Sequence, residues 1–522
     1  MTASSPADAA AAARTSRTVA RHGALGLAGA VTAGAGGFAL TVTVGRTLDE
    51  HDTGVFFTCV AIFTILTTVL LLGADTGLVR ELSALRATGR RDEVPVAFRI
   101  AARPVLAVSV VVAVVGLVVA GPVSRAAVPA ATAGELAVAL RVLAPFLVLS
   151  TASALLLNGA ARGLGSMRSF TLIQQVLLPV GRPLAVLAAV LLLGPSPVRA
   201  LAAWAVPLVL AVGIAAVDVG RRMRAVAAET PAAGAGAGAD PGEVSRRFWR
   251  LTAPRGLAAT FEVVIVWADV VLVTVLRGPA EAGIYAAASR FVTSGTLAMQ
   301  AIRLAIGPVL AGSFGRGDVA EAERVHRFST VGAILTTWPI YLTVALFAPA
   351  VLSLLGPGFG AAAAALSVLA VAMLAVVATG NANTVLNMAG RSAWAARNTG
   401  RAAGVMLVLD LVLVPRFGIV GAAVGWSAAM ITDASLGISQ IRRRLGVRSF
   451  GPVVIEAAVL VLLAFGVPAL AVRLFAGASL PALLAGAAAG GACLLAAVVA
   501  RRRVLGVERA VGALLPEALR RA

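Results

Sequence analysis

Two carboxylates interrupt an apolar stretch, TFEVVIVWADVVLVTVLRG, which runs from Thr260 to Gly278. Glu262 and Asp269 are spaced so that an α-helix carries both on one face, about 10 Å apart along its axis. A charged carboxylate among Val, Ile and Leu costs free energy unless it is paired, hydrated or used. The two acids therefore either bind a coupling ion such as H⁺ or Na⁺ or form structural ion pairs.

Three arginines also lie inside apolar runs. Arg182 stands between Pro179 and Pro183, and Arg290 and Arg303 follow the acidic stretch. A guanidinium group binds phosphate through two parallel hydrogen bonds, and a low dielectric strengthens the contact. We therefore predict that Arg182, Arg290 and Arg303 bind a phosphate or line a cavity. The alternative is that they form ion pairs or reach towards the membrane surface.

The acids and arginines can be related by helix geometry. A short turn joins the helices of Asp269 and Arg290 and puts both at similar depth, so an intramembrane pair is predicted. Asp410 and Asp433 are further candidates for ion pairing or coupling. Each stands near the end of its predicted helix, where we expect water to reach it.

Amides form two further polar groups in the apolar runs. Gln174 and Gln175 begin one predicted helix, and Asn381, Asn383 and Asn387 cluster at the end of another. We expect them to form hydrogen bonds between helices, with binding of sugar hydroxyls as the alternative.

The elements that must hold these side chains are membrane helices. The chain of 522 residues is 59% hydrophobic and 13% charged, with a mean hydropathy of +0.94. Soluble domains carry about 25% charged residues. Apolar runs recur along the whole length and are continuous rather than alternating. The pattern predicts an all-α polytopic membrane protein with about 14 transmembrane helices.

Membrane topology explains the net charge of +20, because the arginines lie mainly in loops. The arginines gather in alternate loops between apolar runs, which by the positive-inside rule places both termini in the cytoplasm. We expect the membrane to be the plasma membrane. No nucleic-acid partner is needed to explain them. The two cysteines lie in apolar runs and the three histidines are scattered, so we expect no disulfide, metal or cofactor.

The chain reads as two lobes of six helices, followed by two C-terminal helices. The turns TVGRTLDEHDTGVF and TVLRGPAEAGIY resemble each other, which indicates parallel repeats with a substrate site between them. Predicted boundaries are a disordered cytoplasmic tail (1–22), an N-lobe (23–220), a cytoplasmic linker containing PAAGAGAGADPGE (221–255), a C-lobe (256–440), the last two helices (441–500) and a basic amphipathic cytoplasmic tail (501–522).

Several motifs resemble a known family. They are GRTLDEHDTGVF with LLGADTGLVRELS, FWRLTAPRGLA, WADVVLVTVLRGPAEAGIYAAASRF and LDLVLVPRFGIVGAAVGWSAAM. In order and spacing they resemble the polysaccharide/O-antigen flippases of the multidrug/oligosaccharidyl-lipid/polysaccharide (MOP) exporter superfamily, whose fold is MATE-like. The chain departs from that pattern at Asp410, where the family often has Asn.

The resemblance implies two six-helix lobes around a central cavity and transport by alternating access. The implied cargo is a polyprenyl-(pyro)phosphate-linked oligosaccharide or related glycolipid for cell-surface polysaccharide biosynthesis, with membrane lipids as partners. H⁺, Na⁺ or the membrane potential would drive transport. Alternatives are a cation-coupled multidrug exporter, a lipid II flippase and, from another class, a membrane glycan polymerase or ligase. Because the outward loops are short, we expect no enzyme.

Overall fold

The computed structural model describes residues 6–228 and 241–501, and within these two ranges the regular structure is helical, with no strand. In chain order the α-helices are α1 (Pro6–Thr47), α2 (Glu50–Leu71), α3 (Ala74–Ala87), α4 (Val94–Ala127), α5 (Ala130–Ser153), α6 (Met167–Ser169), α7 (Leu178–Leu193), α8 (Pro197–Ala228), α9 (Pro241–Arg277), α10 (Pro279–Ser294), α11 (Thr296–Gly315), α12 (Val319–Leu346), α13 (Ala348–Leu352), α14 (Ala363–Ala378), α15 (Ala382–Met388), α16 (Ser392–Leu445), α17 (Pro452–Val461), α18 (Val467–Ala476) and α19 (Leu480–Ala500). Shorter helical pieces are two 3₁₀ turns (Arg91–Glu93, Pro357–Ala362) and three π-helical segments (Ala154–Ala161, Phe170–Leu177, Leu462–Gly466).

Apolar helices long enough to cross a membrane dominate the chain. By length and composition, 12 segments of the described residues qualify. The prediction of an all-α polytopic membrane protein is confirmed, whereas the count of fourteen is not. Residues 392–445 count as one segment although the helix turns sharply inside it, and the separate helices α10 and α11 are not among the 12.

A glycine lies at each of these two positions, the turn inside α16 and the junction of α10 with α11, but only Gly418 has non-helical backbone angles. At Gly418 the backbone leaves the helical region (φ 55°, ψ −137°), so α16 turns there even though it is one continuous run. This φ is one that residues with a Cβ rarely adopt. At Gly295, between α10 and α11, a Cβ atom would lie 2.8 Å from the ring of Tyr341. Close packing therefore requires a glycine at the break.

The chain divides into two compact units, Met1–Val263 and Val264–Ala522, called here the N-terminal and C-terminal units. In the N-terminal unit, the core joins Leu78 of α3, Ala97 of α4 and Phe248 of α9. In the C-terminal unit, one core cluster joins Leu310 of α11 and Ile441 of α16. The division falls within α9.

Two predicted boundaries require correction. The helix α1 begins at Pro6, so the disordered tail predicted over 1–22 is helical from that residue. The segment predicted as a flexible linker, 221–255, is helical wherever the structure describes it. The helix α8 continues to Ala228, and α9 starts at Pro241. Residues 229–240 lie outside the described residues. Phe248 is 2% exposed, because the aromatic FWRLTAPRGLA segment packs into the N-terminal core. Of the tail predicted over 501–522, residues 502–522 lie outside the described residues.

A tight contact positions the start of α9. Between α2 and α3 the backbone adopts left-handed angles at Leu72 (φ 47°) and Gly73 (φ 75°). A Cβ atom at Gly256 of α9 would lie 2.2 Å from the carbonyl carbon of Leu72. The glycine therefore lets α9 pack against this break. Nearby, Arg247 forms an ion pair with Glu81.

Candidate functional site

A polar cavity of about 230 Å³ lies inside the N-terminal unit. It is smaller than the roughly 300–1,000 Å³ of pockets that enclose whole drug-sized ligands. Its wall combines one arginine, one aspartate, two amides and several hydroxyls with small and apolar residues: Thr67, Thr68, Leu71, Gly73, Asp75, Ser150, Ser153, Ala154, Asn158, Gln174, Leu178, Arg182, Leu208 and Ala259. The cavity suits a small polar group rather than a large apolar ligand.

Arg182 is the cation of this cavity. Its guanidinium carbon lies 4.1 Å from the ring centroid of Trp204 on α8, which is a cation–π geometry. The Nε atom of Arg182 is buried and has no hydrogen-bond partner among the described residues. Pro183 lies within α7, and a π-helical segment precedes that helix. Arg182 therefore lines a cavity beside an irregular helix, and its role in binding phosphate remains a prediction.

Unsatisfied polar atoms concentrate around the same cavity. Five of its lining side chains hold buried polar atoms that lack a hydrogen-bond partner within the described chain: Thr67 Oγ1, Ser153 Oγ, Asn158 Oδ1, Gln174 Oε1 and Arg182 Nε. Leaving one buried polar group unpaired costs about 1–3 kcal/mol. The cavity is therefore suited to a polar ligand or to water.

The two amides of the cavity both come from π-helical segments. Asn158 belongs to Ala154–Ala161 and Gln174 belongs to Phe170–Leu177. π-helical turns are rare and are often found at functional sites. Gln175, the neighbour of Gln174, packs against α1 at Gly29, where a Cβ atom would lie 2.2 Å from Oε1. Gln174 therefore faces the cavity while Gln175 serves helix packing.

Asp269 is buried in the C-terminal unit, with an exposed fraction of 2%. Its Oδ2 accepts a hydrogen bond of 2.7 Å from the hydroxyl of Tyr285 on α10, and its Oδ1 accepts one of 2.7 Å from the Val270 N–H. The predicted neighbourhood of α9 and α10 is present. The hydrogen-bond partners of this carboxylate are neutral groups.

Arg290 lies beside the same acid. Its guanidinium carbon is 3.9 Å from the ring centroid of Trp267, and Nη2 donates to the carbonyl of Val266 at 3.3 Å. Arg290 and Asp269 also attract each other electrostatically. The ion pair between them that the sequence predicts remains a prediction.

Asp410 is fully buried in α16, so the expectation that water reaches it is wrong. Neither carboxylate oxygen has a hydrogen-bond partner within the described residues. A Cβ atom at Gly425 would lie 2.0 Å from Oδ1, so the carboxylate packs against the second half of the same helical hairpin. If both carboxylates were charged, Asp269 would repel Asp410 within the C-terminal unit. Proximity to a helix end failed as a guide because the hairpin turn at Gly418 folds α16 back over Asp410.

The remaining predicted site residues belong neither to the Arg182 cavity nor to the group of Asp269, Arg290 and Asp410. Asp433 is half-buried and accepts hydrogen bonds from Asn383 Nδ2 (2.6 Å) and Thr399 Oγ1 (3.1 Å). That arrangement is the helix–helix bonding expected of the asparagines. Glu262 and Arg303 are exposed on their helices.

Of the eight polar residues that line the N-terminal cavity, the sequence interpretation named only Gln174 and Arg182. Asn158 and the hydroxyls of Thr67, Ser150 and Ser153 interrupt apolar runs just as Arg182 does, but they carry no charge. A search for all polar residues in predicted helices, rather than for charges, would have included them. It would not have shown that they meet.

A second group of titratable side chains lies at the start of α2. His51, Asp52 and Glu135 place possible ligand atoms within 4.8 Å of one another, with His51 Nε2 3.6 Å from Glu135 Oε2. The sequence showed no metal constellation, because Glu135 is distant along the chain. All three side chains are half-exposed, and such groups commonly form ion pairs without a metal.

Solved structures with the same architecture are membrane transporters. An inward-facing multidrug resistance MATE family transporter of the MOP superfamily is 15% identical, with a TM-score of 0.67 over 80% of this chain and 94% of its own. The lipid II flippase MurJ in an inward closed conformation is 10% identical, with a TM-score of 0.71 over 91% and 98%. A MOP superfamily transporter from Pyrococcus furiosus is 16% identical, with a TM-score of 0.57 over 82% and 95%. The fold is that of the MOP superfamily.

The sequence itself identifies the family within this fold. The family model described as "Polysaccharide biosynthesis protein" matches residues 22–314, more than half of the chain. The chain belongs to this polysaccharide biosynthesis protein family, which agrees with the resemblance in its motifs. No curated protein sequence matches it closely enough to count as a relative.

Proposed function

We propose that the protein flips a polyprenyl-(pyro)phosphate-linked oligosaccharide or related glycolipid across the plasma membrane by alternating access, with both termini in the cytoplasm. The observation that carries the proposal is the N-terminal cavity, in which Arg182 lies among hydroxyls and amides, with Asp75 as the one acid of the wall. Membership of the polysaccharide biosynthesis family supports the choice of a glycan cargo.

The unsatisfied atoms of the cavity are complementary to the two parts of such a headgroup, the phosphate and the first sugar. Arg182 offers N–H donors, which phosphate oxygens accept. The amide oxygens of Asn158 and Gln174 are acceptors, which sugar hydroxyls satisfy by donating. The stacking of Arg182 on Trp204 holds the guanidinium plane in place, so fewer degrees of freedom are lost on binding. The small volume indicates that the cavity takes the phosphate and the first sugar, not the whole glycolipid.

Binding of undecaprenyl phosphate to the purified protein in nanodiscs tests this site. The wild type should bind undecaprenyl phosphate more tightly than undecaprenol, and Arg182→Gln should lose about tenfold in affinity, the equivalent of one charge-assisted hydrogen bond. Arg391→Gln is the matched control, since Arg391 also stacks on a tryptophan, Trp394, but does not line the cavity. Equal affinity of the wild type for the alcohol and the phosphate would exclude the phosphate site.

The C-terminal unit supports a coupling role for its buried acids. Asp410 has no hydrogen-bond partner among the described residues, and Asp269 lies close enough to repel it. A proton or Na⁺ would relieve that repulsion, and intramembrane acids commonly mark ion paths. We propose Asp410 and Asp269 as the coupling pair. Glu262 is exposed and Asp433 is hydrogen-bonded, so both are weaker candidates.

Transport in proteoliposomes tests coupling and also separates the two main functions. The wild type should flip a fluorescent polyprenyl-pyrophosphate disaccharide faster under an imposed H⁺ or Na⁺ gradient, and Asp410→Asn should remove the stimulation. Buried acids would also suit a cation-coupled drug exporter. Gradient-driven export of ethidium without any glycolipid flipping would favour that alternative and reject the flippase.

A further inference from the structure

A polar cavity of about 580 Å³ lies in the C-terminal unit, beside the last turns of α16. Its size falls within the roughly 300–1,000 Å³ of pockets that enclose small ligands. The wall combines two arginines, three hydroxyls and two apolar side chains, and no carboxylate is among the described residues that line it. Its polar members are Thr379, Ser435, Ser439, Arg442 and Arg443. The cavity therefore carries an excess of positive charge.

Helix periodicity brings most of these polar side chains to one face of α16. At about 100° per residue, Ser435, Ser439 and Arg442 fall within an arc of about 60°. Arg443 lies about 40° further round the helix from Ser439. Two guanidinium groups and two hydroxyls therefore face one cavity.

The polar groups of this face are not engaged within the protein. Arg442 and Arg443 are exposed, and neither has a carboxylate or hydrogen-bond partner among the described residues. On the same helix, Ser427 donates to the carbonyl four residues earlier at 2.6 Å. Ser435 and Ser439 form no such bond within the described part of the chain. Their hydroxyls can therefore donate to a ligand.

The segment that carries Phe450, an apolar member of the wall, is held against α12 by hydrogen bonds. The Arg448 N–H donates to Glu323 Oε2 at 2.8 Å, and Arg327 Nε donates to the Arg448 carbonyl at 3.0 Å. Phe450 itself is 52% exposed. The cavity therefore has an apolar edge of fixed position, which suits the glycerol region of a lipid.

A helix end alone does not account for this arrangement. Arginines in the last turn of a helix stabilise its C-terminal carbonyls, and Arg442, Arg443 and Arg444 all occupy the last turn of α16. Of these three, Arg442 and Arg443 line the cavity, whereas Arg444 does not. Because Arg444 is also exposed, it separates a general effect of basic charge from an effect of the cavity.

We propose that this cavity binds a phosphate group. Arg442 and Arg443 hold the phosphate through charge-assisted hydrogen bonds, and the hydroxyls of Ser435 and Ser439 donate to its remaining oxygens. The phosphate belongs either to an anionic membrane lipid or to a soluble phosphate. The inference does not rest on the proposed cargo, because this cavity shares no lining residue with the Arg182 cavity.

Two measurements on the purified full-length protein test the site and identify the source of the phosphate. In phosphatidylcholine nanodiscs, a phosphatidic acid with a diazirine at the glycerol end of its acyl chain detects a lipid phosphate through crosslinks that map to 435–450. Equilibrium dialysis in detergent with radiolabelled inorganic phosphate detects a soluble one. A lipid source predicts the crosslinks without retention of inorganic phosphate, and a soluble source predicts the reverse.

The double variant Arg442→Gln/Arg443→Gln should lower whichever signal the wild type gives by about tenfold. Ser435→Ala/Ser439→Ala keeps the charge and should lower the signal about threefold, because two hydroxyl donors are lost. Arg444→Gln is the matched control and should leave the signal unchanged.

Absence of both signals in the wild type would overturn the proposal. An equal loss in Arg444→Gln would also overturn it, because a diffuse basic surface would then explain the binding. Arg182→Gln should leave both signals unchanged, so failure of the headgroup site in the N-terminal unit is distinguishable from failure of this one.

Discussion

Both units place an arginine over the face of a tryptophan, yet the surroundings of the two pairs differ. In the N-terminal unit the Arg182–Trp204 pair borders a cavity rich in unsatisfied neutral groups. In the C-terminal unit the Arg290–Trp267 pair lies beside the buried Asp269 and Tyr285. A similar stacking contact therefore occurs once in the wall of a polar cavity that also includes Asp75, and once beside the buried carboxylate of Asp269. The comparison teaches that a membrane-buried arginine indicates a ligand site only together with its neighbours.

The largest predicted effect is a loss of stability caused by a substitution in the hairpin of α16 that contains Asp410. Gly421→Leu would place a Cβ atom 2.5 Å from the carbonyl oxygen of Leu413, which is backbone and cannot yield easily. We expect a loss of about 3 kcal/mol or more in the free energy of unfolding, since overpacking is costly. Thermal unfolding in detergent measures this loss.

Gly404→Leu is the matched control for that change, because Gly404 lies on the same helix with open space around it. It should leave the melting temperature nearly unchanged. If both variants unfold at the wild-type temperature, close packing of the hairpin at Gly421 does not stabilise the fold around Asp410.

The comparison of the two arginines predicts unequal effects on transport. Arg182→Gln should lower flipping of a polyprenyl-pyrophosphate disaccharide about tenfold, whereas Arg290→Gln should lower it less than threefold, because only the first removes the donor of an open cavity. Initial rates in proteoliposomes with equal protein content give the comparison. A greater loss in Arg290→Gln would reverse the roles assigned to the two units.

The smallest effect is expected at the buried tyrosines. Tyr285→Phe leaves the Asp269 carboxylate without its hydroxyl donor and should cost about 1–3 kcal/mol of unfolding free energy. Tyr341→Phe, the control, removes a weaker bond of 3.3 Å to the Val292 carbonyl and should cost about 1 kcal/mol or less. Chemical denaturation of the two variants measures both values, and equal losses would show that the carboxylate does not depend on Tyr285.

Sequence reasoning predicted the fold well because hydrophobic length is local information. Continuous apolar runs identify membrane helices without any tertiary contact. Long-range packing limited the rest: the aromatic Phe248 fixes a segment that composition alone marks as linker, and Gly418 folds α16 so that Asp410 is buried. Neither outcome can be derived from the neighbouring residues along the chain.

The same limit applies to the candidate sites. The prediction that Arg182 lines a cavity rested on the prolines beside it and on the cost of burying a charge, both visible in the sequence. The meeting of Asn158 with Gln174 was not visible, because it depends on how two distant helices pack. Uncharged polar groups give a weak signal one at a time and become informative only when they converge.

The π-helical segments that carry Asn158 and Gln174 also affect how this chain should be aligned with its relatives. A wide turn of this kind accommodates one more residue than an α-helix of the same length, so helical-wheel registers before and after it do not match. Relatives that lack the wide turns should show single-residue gaps at Ala154–Ala161 and Phe170–Leu177. Gaps placed elsewhere in these helices would pair the two amides with the wrong positions.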